Sequence, residues 1–190
     1  MPRPHRSANA AHDFGAPLVP ALSLSKGRGD DKLRNWWQIN GAMTDRESDL
    51  CYAVTAEVAA PASFVFAFLA DPAKVGEWAL GAFGARRIGA GDVYRGASLL
   101  DGSATLFRVD ADARRMIVDY LVGGDAENLV MRISARIVPG EILERGAQTC
   151  LVSLSAWRPA SFDERRWSRL CAFHDAEIHI LRDKIEAAAR

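Results

Sequence analysis

Ser161-Phe162-Asp163-Glu164-Arg165-Arg166-Trp167-Ser168-Arg169-Leu170-Cys171-Ala172-Phe173-His174-Asp175-Ala176-Glu177-Ile178-His179-Ile180-Leu181-Arg182-Asp183-Lys184-Ile185 is the stretch that decides the fold. A serine stands three residues before a glutamate, the spacing of a capping box, in which each side chain satisfies a backbone N–H at a helix start. Trp167, Leu170, Ile178, Leu181 and Ile185 then recur at helical intervals, with His174 in the one gap. Such spacing keeps all six on one face. Arg165, Arg169, Glu177 and Lys184 are assigned to the opposite, solvent side. Carried to Ala189, the helix is roughly 40 Å long at 1.5 Å per residue. An apolar stripe of that length requires a broad partner surface.

The middle of the chain supplies one. Six short strands are expected at about 83–89, 92–100, 103–111, 114–122, 128–138 and 148–157. Between them stand Gly89-Ala90-Gly91, Asp101-Gly102, Gly123-Gly124-Asp125 and Pro139-Gly140, residues suited to turns. Links this short imply sequential antiparallel pairing. Thr105, Phe107 and Val109 oppose Arg108 and Asp110, while Met116, Val118, Tyr120 and Val122 oppose Asp119. Leu129, Met131, Ile133 and Ile137 oppose Arg132, Ser134 and Arg136, and Cys150, Val152, Leu154 and Ala156 form the apolar side of the last strand. A turn centred on Asp125-Ala126 sets Asp119 opposite Arg132 as an exposed ion pair. A sheet with one wet and one dry face calls for a helix on the dry one.

Upstream, Leu50, Tyr52, Val54, Ala56 and Val58 alternate with Thr55 and Glu57 and predict a further strand. Pro61 suits the first turn of a helix over Ala62 to Ala70, which Phe64, Val65, Phe66, Phe68 and Leu69 make apolar nearly all round and therefore deeply buried. Asp71-Pro72 restarts the chain as N-cap and first-turn proline of a second short helix, which reaches Glu77-Trp78 and ends at Gly81 and Gly84. Residues 1–45 hold four of the eight prolines and no sustained period. They read as a poorly structured extension ahead of a domain at 46–190, with at most a local contact among Trp36, Trp37 and Ile39. Met43 stands just before the ordered pattern and is a candidate natural start.

With 24 basic and 24 acidic residues, the chain has no net field that favours nucleic acid. Cys51, Cys150 and Cys171 are odd in number and lack C-x-x-C spacing, which argues against a disulfide framework or zinc site and for buried thiols in a reducing cytosol. No apolar run reaches 18 residues, so no membrane-spanning helix is expected, and Pro17 and Pro20 spoil the early apolar piece as a secretion signal. A cytoplasmic protein is the expectation.

The order strand, two helices, six strands, long helix also carries a family resemblance. Val58-Ala59-Ala60-Pro61-Ala62-Ser63-Phe64-Val65-Phe66-Ala67-Phe68-Leu69-Ala70-Asp71-Pro72-Ala73-Lys74-Val75-Gly76-Glu77-Trp78 resembles the opening of the START-like (SRPBCC) superfamily, in particular its polyketide cyclase/dehydratase-like branch. The resemblance covers about residues 48–189. It implies an α+β helix-grip fold: a curved, seven-stranded antiparallel sheet wrapped around a long C-terminal helix, with two short helices after the first strand. It also implies an elongated apolar cavity between sheet and helix, the general form of a small-molecule site.

By facing, the lining of that cavity should come from Trp78, Phe107, Tyr120, Met131, Trp167, Leu170, His174 and Ile178. Each could equally fill core. The Tyr120 hydroxyl needs a partner if buried. His174 could be a core histidine bonded to a carbonyl or to Tyr120, a ligand-bonding group, or a general acid/base, although no inward carboxylate is evident to orient it. His174, Asp175, Glu177 and His179 have workable metal-ligand spacings, but the pairs point different ways and no second ligand-bearing helix is evident, so they read as an exposed polar face. G-x-S-x-G, P-loop, G-x-G-x-x-G and H-E-x-x-H motifs are absent from the sequence. The expectation is binding of an apolar or amphipathic, lipid- or polyketide-like molecule without cofactor or metal. The alternatives are an aromatase/cyclase or dehydratase-type enzyme using Tyr120 and His174, and a protein-interaction module.

Overall fold

The computed structural model describes residues 50–190. The expectations for residues 1–45, among them the start at Met43 and the contact of Trp36, Trp37 and Ile39, lie outside those residues. Within the described part, Cys51–Val58 (β1), Phe83–Arg87 (β2), Tyr94–Ala97 (β3), Ala104–Asp112 (β4), Ile117–Gly123 (β5), Val130–Pro139 (β6) and Cys150–Trp157 (β7) form one antiparallel sheet. Its order is β1-β7-β6-β5-β4-β3-β2. From β3 to β7 each strand pairs with its predecessor, because the connecting turns are too short for a crossover. Consecutive β1 and β2 instead lie at opposite edges, so Ala62–Ala70 (α1) and Pro72–Trp78 (α2) carry the chain across the sheet. The long helix Glu164–Ala188 (α3) covers the same face.

Asp71 caps α2 as expected, its carboxylate accepting the Ala73 N–H at 2.9 Å, with Pro72 at the first position. The cap of α3 differs from the expected serine. A turn closed by Phe162 N–H on the Pro159 carbonyl precedes it, and the Asp163 carboxylate accepts the Arg166 N–H at 2.7 Å. Ser161 therefore sits outside the helix, and Glu164, free of the reciprocal cap role, pairs with Arg158 at 3.0 Å. A Leu80–Ala82 turn of 3-10 helix, rather than a glycine stop, follows α2.

Val65 and Leu69 of α1, Val118, Ala135, Ile137, Val152 and Leu154 of the sheet, and Leu181 and Ile185 of α3 are fully buried. Phe64 is not, being 37% exposed, because α1 rests on the sheet by one side only. Cys150 is buried in β7, whereas Cys51 is exposed and Cys171 half-buried, so burial of the thiols holds for one of the three. None of the described helices is long and apolar enough to cross a membrane.

Two registers depart from the sequence-based expectation. Tyr120 pairs with Ile133 but Leu121 pairs with Met131, so a bulge at Arg132 consumes one residue. Paired residues share a face and alternate along a strand, so the bulge turns Met131 outward beside Leu121, and it is 45% exposed. The turn sets Val122 opposite Val130, one residue from the expected register, and the bulge adds a second, so Asp119 lies opposite Ser134 and the expected cross-strand pairing with Arg132 is lost.

Candidate functional site

The two halves of α3 meet the sheet differently. From its middle onward the helix is fastened to the β1 edge: Tyr52 donates its hydroxyl to Asp175 at 2.7 Å, and the Ala59 N–H donates to Glu186 at 2.9 Å. Leu181 and Ile185 fill the space beneath. Its first half stands over β4, β5 and β6, and there the layers part around a half-open cavity of about 710 Å³. Packed interiors leave few voids larger than a water molecule, and ligand sites run to several hundred Å³.

Phe107, Val122 and Ile133 form the sheet side of the wall, Val75 and Trp78 the α2 side, and Leu170, Phe173 and Glu177 the helix side. Trp78 and Tyr120 meet edge to face at 5.8 Å between ring centroids. The Tyr120 hydroxyl donates to the Leu69 carbonyl at 3.1 Å, so the wall already satisfies it. Burial, reinforced by the charge of Glu177, pushes this phenol well above the ordinary tyrosine range and keeps it neutral. The Trp78 indole N–H is buried without an acceptor among the described residues.

Of the residues expected to line the cavity, Trp78, Phe107, Tyr120 and Leu170 do so. Trp167, His174 and Ile178 are buried elsewhere on α3, and Met131 is outside for the reason given above. Trp167 packs with Arg158, whose guanidinium lies 6.0 Å from its ring. His174 lies behind the wall, its Nδ1 3.0 Å from Glu177 Oε2. The approach falls short of hydrogen-bond geometry, and neither ring nitrogen of His174 has a hydrogen-bond partner among the described residues.

Glu177 is the principal correction. Assigned to solvent from its charge, it is 4% exposed and faces the sheet. Its Oε1 accepts the Leu80 N–H at 2.7 Å and, more weakly, the Gly81 N–H at 3.4 Å. An inward carboxylate beside His174 therefore exists. Periodicity did signal it: at 100° per residue, Glu177 falls about 20° from Leu170 on the helix, inside the apolar stripe. Asp175 and His179 are exposed, so the four polar residues divide between two environments, and no three metal-ligating side chains cluster among the described residues.

The mouth combines two segments the sequence reading left out. Ser98, Leu100, Asp101 and Ser103 come from the β3–β4 turn, and Phe162, Arg165, Arg166 and Arg169 from the start of α3. The Arg166 guanidinium lies 4.0 Å from the Phe162 ring centroid. Hydrogen bonds from Ser103, side chain before backbone, hold the Asp101 carboxyl below its ordinary range, and the charge of Arg169 adds to them.

No family model and no curated protein matches this sequence. Solved structures do. XoxI from Bacillus cereus superposes with a TM-score of 0.56 at 13% identity, over 74% of this chain and 99% of its own. The Zhui aromatase/cyclase from a Streptomyces species superposes at 0.54 and 18% identity, over 74% and 95%. The di-domain aromatase/cyclase BexL does so at 0.52 and 16%, over 72% of this chain and 46% of its own. At these identities the likeness concerns the fold alone: this chain has the helix-grip arrangement, a seven-stranded antiparallel sheet packed against a long C-terminal helix.

Proposed function

We propose that the protein binds an apolar or amphipathic small molecule in the cavity between the sheet and the first half of α3, without covalent chemistry. The observation that carries this is the cavity itself: about 710 Å³, walled mainly by aliphatic and aromatic side chains. Tyr120 is engaged by Leu69 and Glu177 by the Leu80–Gly81 turn, while the Trp78 indole N–H has no acceptor among the described residues, an arrangement that suits holding a molecule more than transforming it. No nucleic-acid partner and a cytoplasmic location belong to the same proposal, supported by the balanced charge and by the absence of a spanning helix among the described residues. The test is native mass spectrometry of gently purified protein together with titration by neutral N-phenylnaphthylamine. A co-purified apolar molecule or saturable uptake of one dye per chain is expected; a ligand-free protein that takes up no dye refutes the reading.

One observation favours a second reading, an enzyme of aromatase/cyclase type, the activity in the names of two similar structures. Glu177 reaches the cavity wall with the His174 ring 3.0 Å behind it, a pair able to move a proton once a substrate displaces the turn. Under this reading His174→Gln and Glu177→Gln abolish turnover of a polyketide-like substrate in folded protein. Unchanged rates remove it.

A further inference from the structure

We propose that the ligand is an amphipathic molecule with an anionic head, held at the mouth by Arg165, Arg166 and Arg169 while its apolar body extends inward along α3. The inference rests on the cavity being the ligand site. All three arginines line the mouth and are otherwise exposed. None forms an ion pair with a carboxylate among the described residues. Two carboxylates share the mouth and leave the three cations in excess: Asp163 caps the helix through the Arg166 N–H, and Asp101 accepts the Ser103 N–H at 3.0 Å and interacts with the charge of Arg169. The neighbouring Glu164 is drawn to Arg158.

The placement runs against helix stability. The helix macrodipole presents positive charge at the N-terminus, so cations in the opening turns of α3 are unfavourable there and acids would be preferred. Three arginines between positions 165 and 169 instead concentrate positive potential where the cavity opens, in line with the helix N–H groups. The Phe162 ring keeps one guanidinium over the opening.

The other end of the cavity fixes the orientation. From Arg165 to Glu177 is about 18 Å along the helix at 1.5 Å per residue. Glu177 is a buried carboxylate that repels an anion, and Leu170 and Phe173 between them offer only apolar surface. A molecule with a carboxylate, sulfonate or phosphate at one end and an apolar body therefore fits one way round, head outward.

A matched pair of probes tests this: anionic anilinonaphthalenesulfonate against neutral N-phenylnaphthylamine, on the full chain. The wild type is expected to prefer the sulfonate by about tenfold at low salt, with the preference shrinking as salt screens it. The Arg165→Gln, Arg166→Gln, Arg169→Gln triple variant should bring the ratio of affinities near one, and the corresponding triple lysine variant should restore it. If the neutral probe binds and the wild type shows no preference, or the glutamine variant keeps it, the anionic head is refuted while the cavity reading stands. If neither probe binds, both readings fall.

Discussion

Glu177 of α3 accepts the N–H of Leu80, 97 residues earlier in the chain, at 2.7 Å. One oxygen holds the Leu80–Gly81 turn and the other lies 3.0 Å from His174, so a single carboxylate joins the helix to the corner where α2 passes into β2. That corner is also cavity wall. Removing the carboxylate strands half-buried donors, while an amide keeps the acceptor. Glu177→Ala is expected to cost about 2–4 kcal/mol and Glu177→Gln about 1 kcal/mol in urea denaturation. Equal losses would show that the carboxylate does not hold the turn.

A second tie to α3 reports through pH. The hydrogen bond to Asp175, then burial, then the charge of Asp175 push the Tyr52 phenol up to about 12. A raised folded value means the unfolded chain loses its proton first. The stability from this contact is therefore fully present below pH 10, the ordinary tyrosine value, and lost as pH rises from 10 towards 12. Tyr52→Phe should flatten that part of the stability profile and remove one late step from the alkaline absorbance titration. A variant with the wild-type alkaline profile would contradict the assignment.

The sequential pairing of β2 to β7, the two short helices and the α3 stripe were legible because each rests on period: two for strands, 3.6 for helices, with Asp71-Pro72 and the turn residues as punctuation. What was not legible depended on side chains meeting across the chain. Glu177 lies at a stripe angle but carries a charge, and only the Leu80 N–H and His174, supplied by the tertiary fold, explain its burial. The basic mouth needed the β3–β4 turn and the start of α3 to be brought together, which no local pattern records.

The bulge in β6 is a local irregularity that pattern reading missed, and it separates two residues of equal parity. Met131 faces out and Ile133 faces the cavity. Met131→Lys should change stability by less than about 0.5 kcal/mol, while Ile133→Lys should cost more than about 2 kcal/mol, since its ammonium would lie against the apolar wall. Similar losses in thermal unfolding would put both on one face and remove the bulge.

Glycines test how closely the corner packs. A Cβ on Gly96 would collide with the backbone of Ala82, and one on Gly76 with the backbone of Ala85, whereas one on Gly81 meets nothing within 4 Å. Gly96→Ala and Gly76→Ala should each destabilise by about 1–3 kcal/mol or more, because backbone must shift. Gly81→Ala should be nearly neutral. Neutral behaviour at Gly96 would mean that β3 and the Leu80–Ala82 turn are further apart than the structure places them.

The most direct test of the hollow is to fill it. Val122 points from β5 into the cavity and is only half-buried, so a larger side chain there enters open space rather than packed core. Overpacking a filled interior costs about 1–3 kcal/mol, whereas occupying a preformed void does not force neighbours from their rotamers. Val122→Trp should therefore alter the unfolding free energy by less than about 1 kcal/mol while weakening neutral dye uptake at least tenfold. A strongly destabilised variant that still binds dye would mean that the space beside Val122 is core and that the dye sits elsewhere.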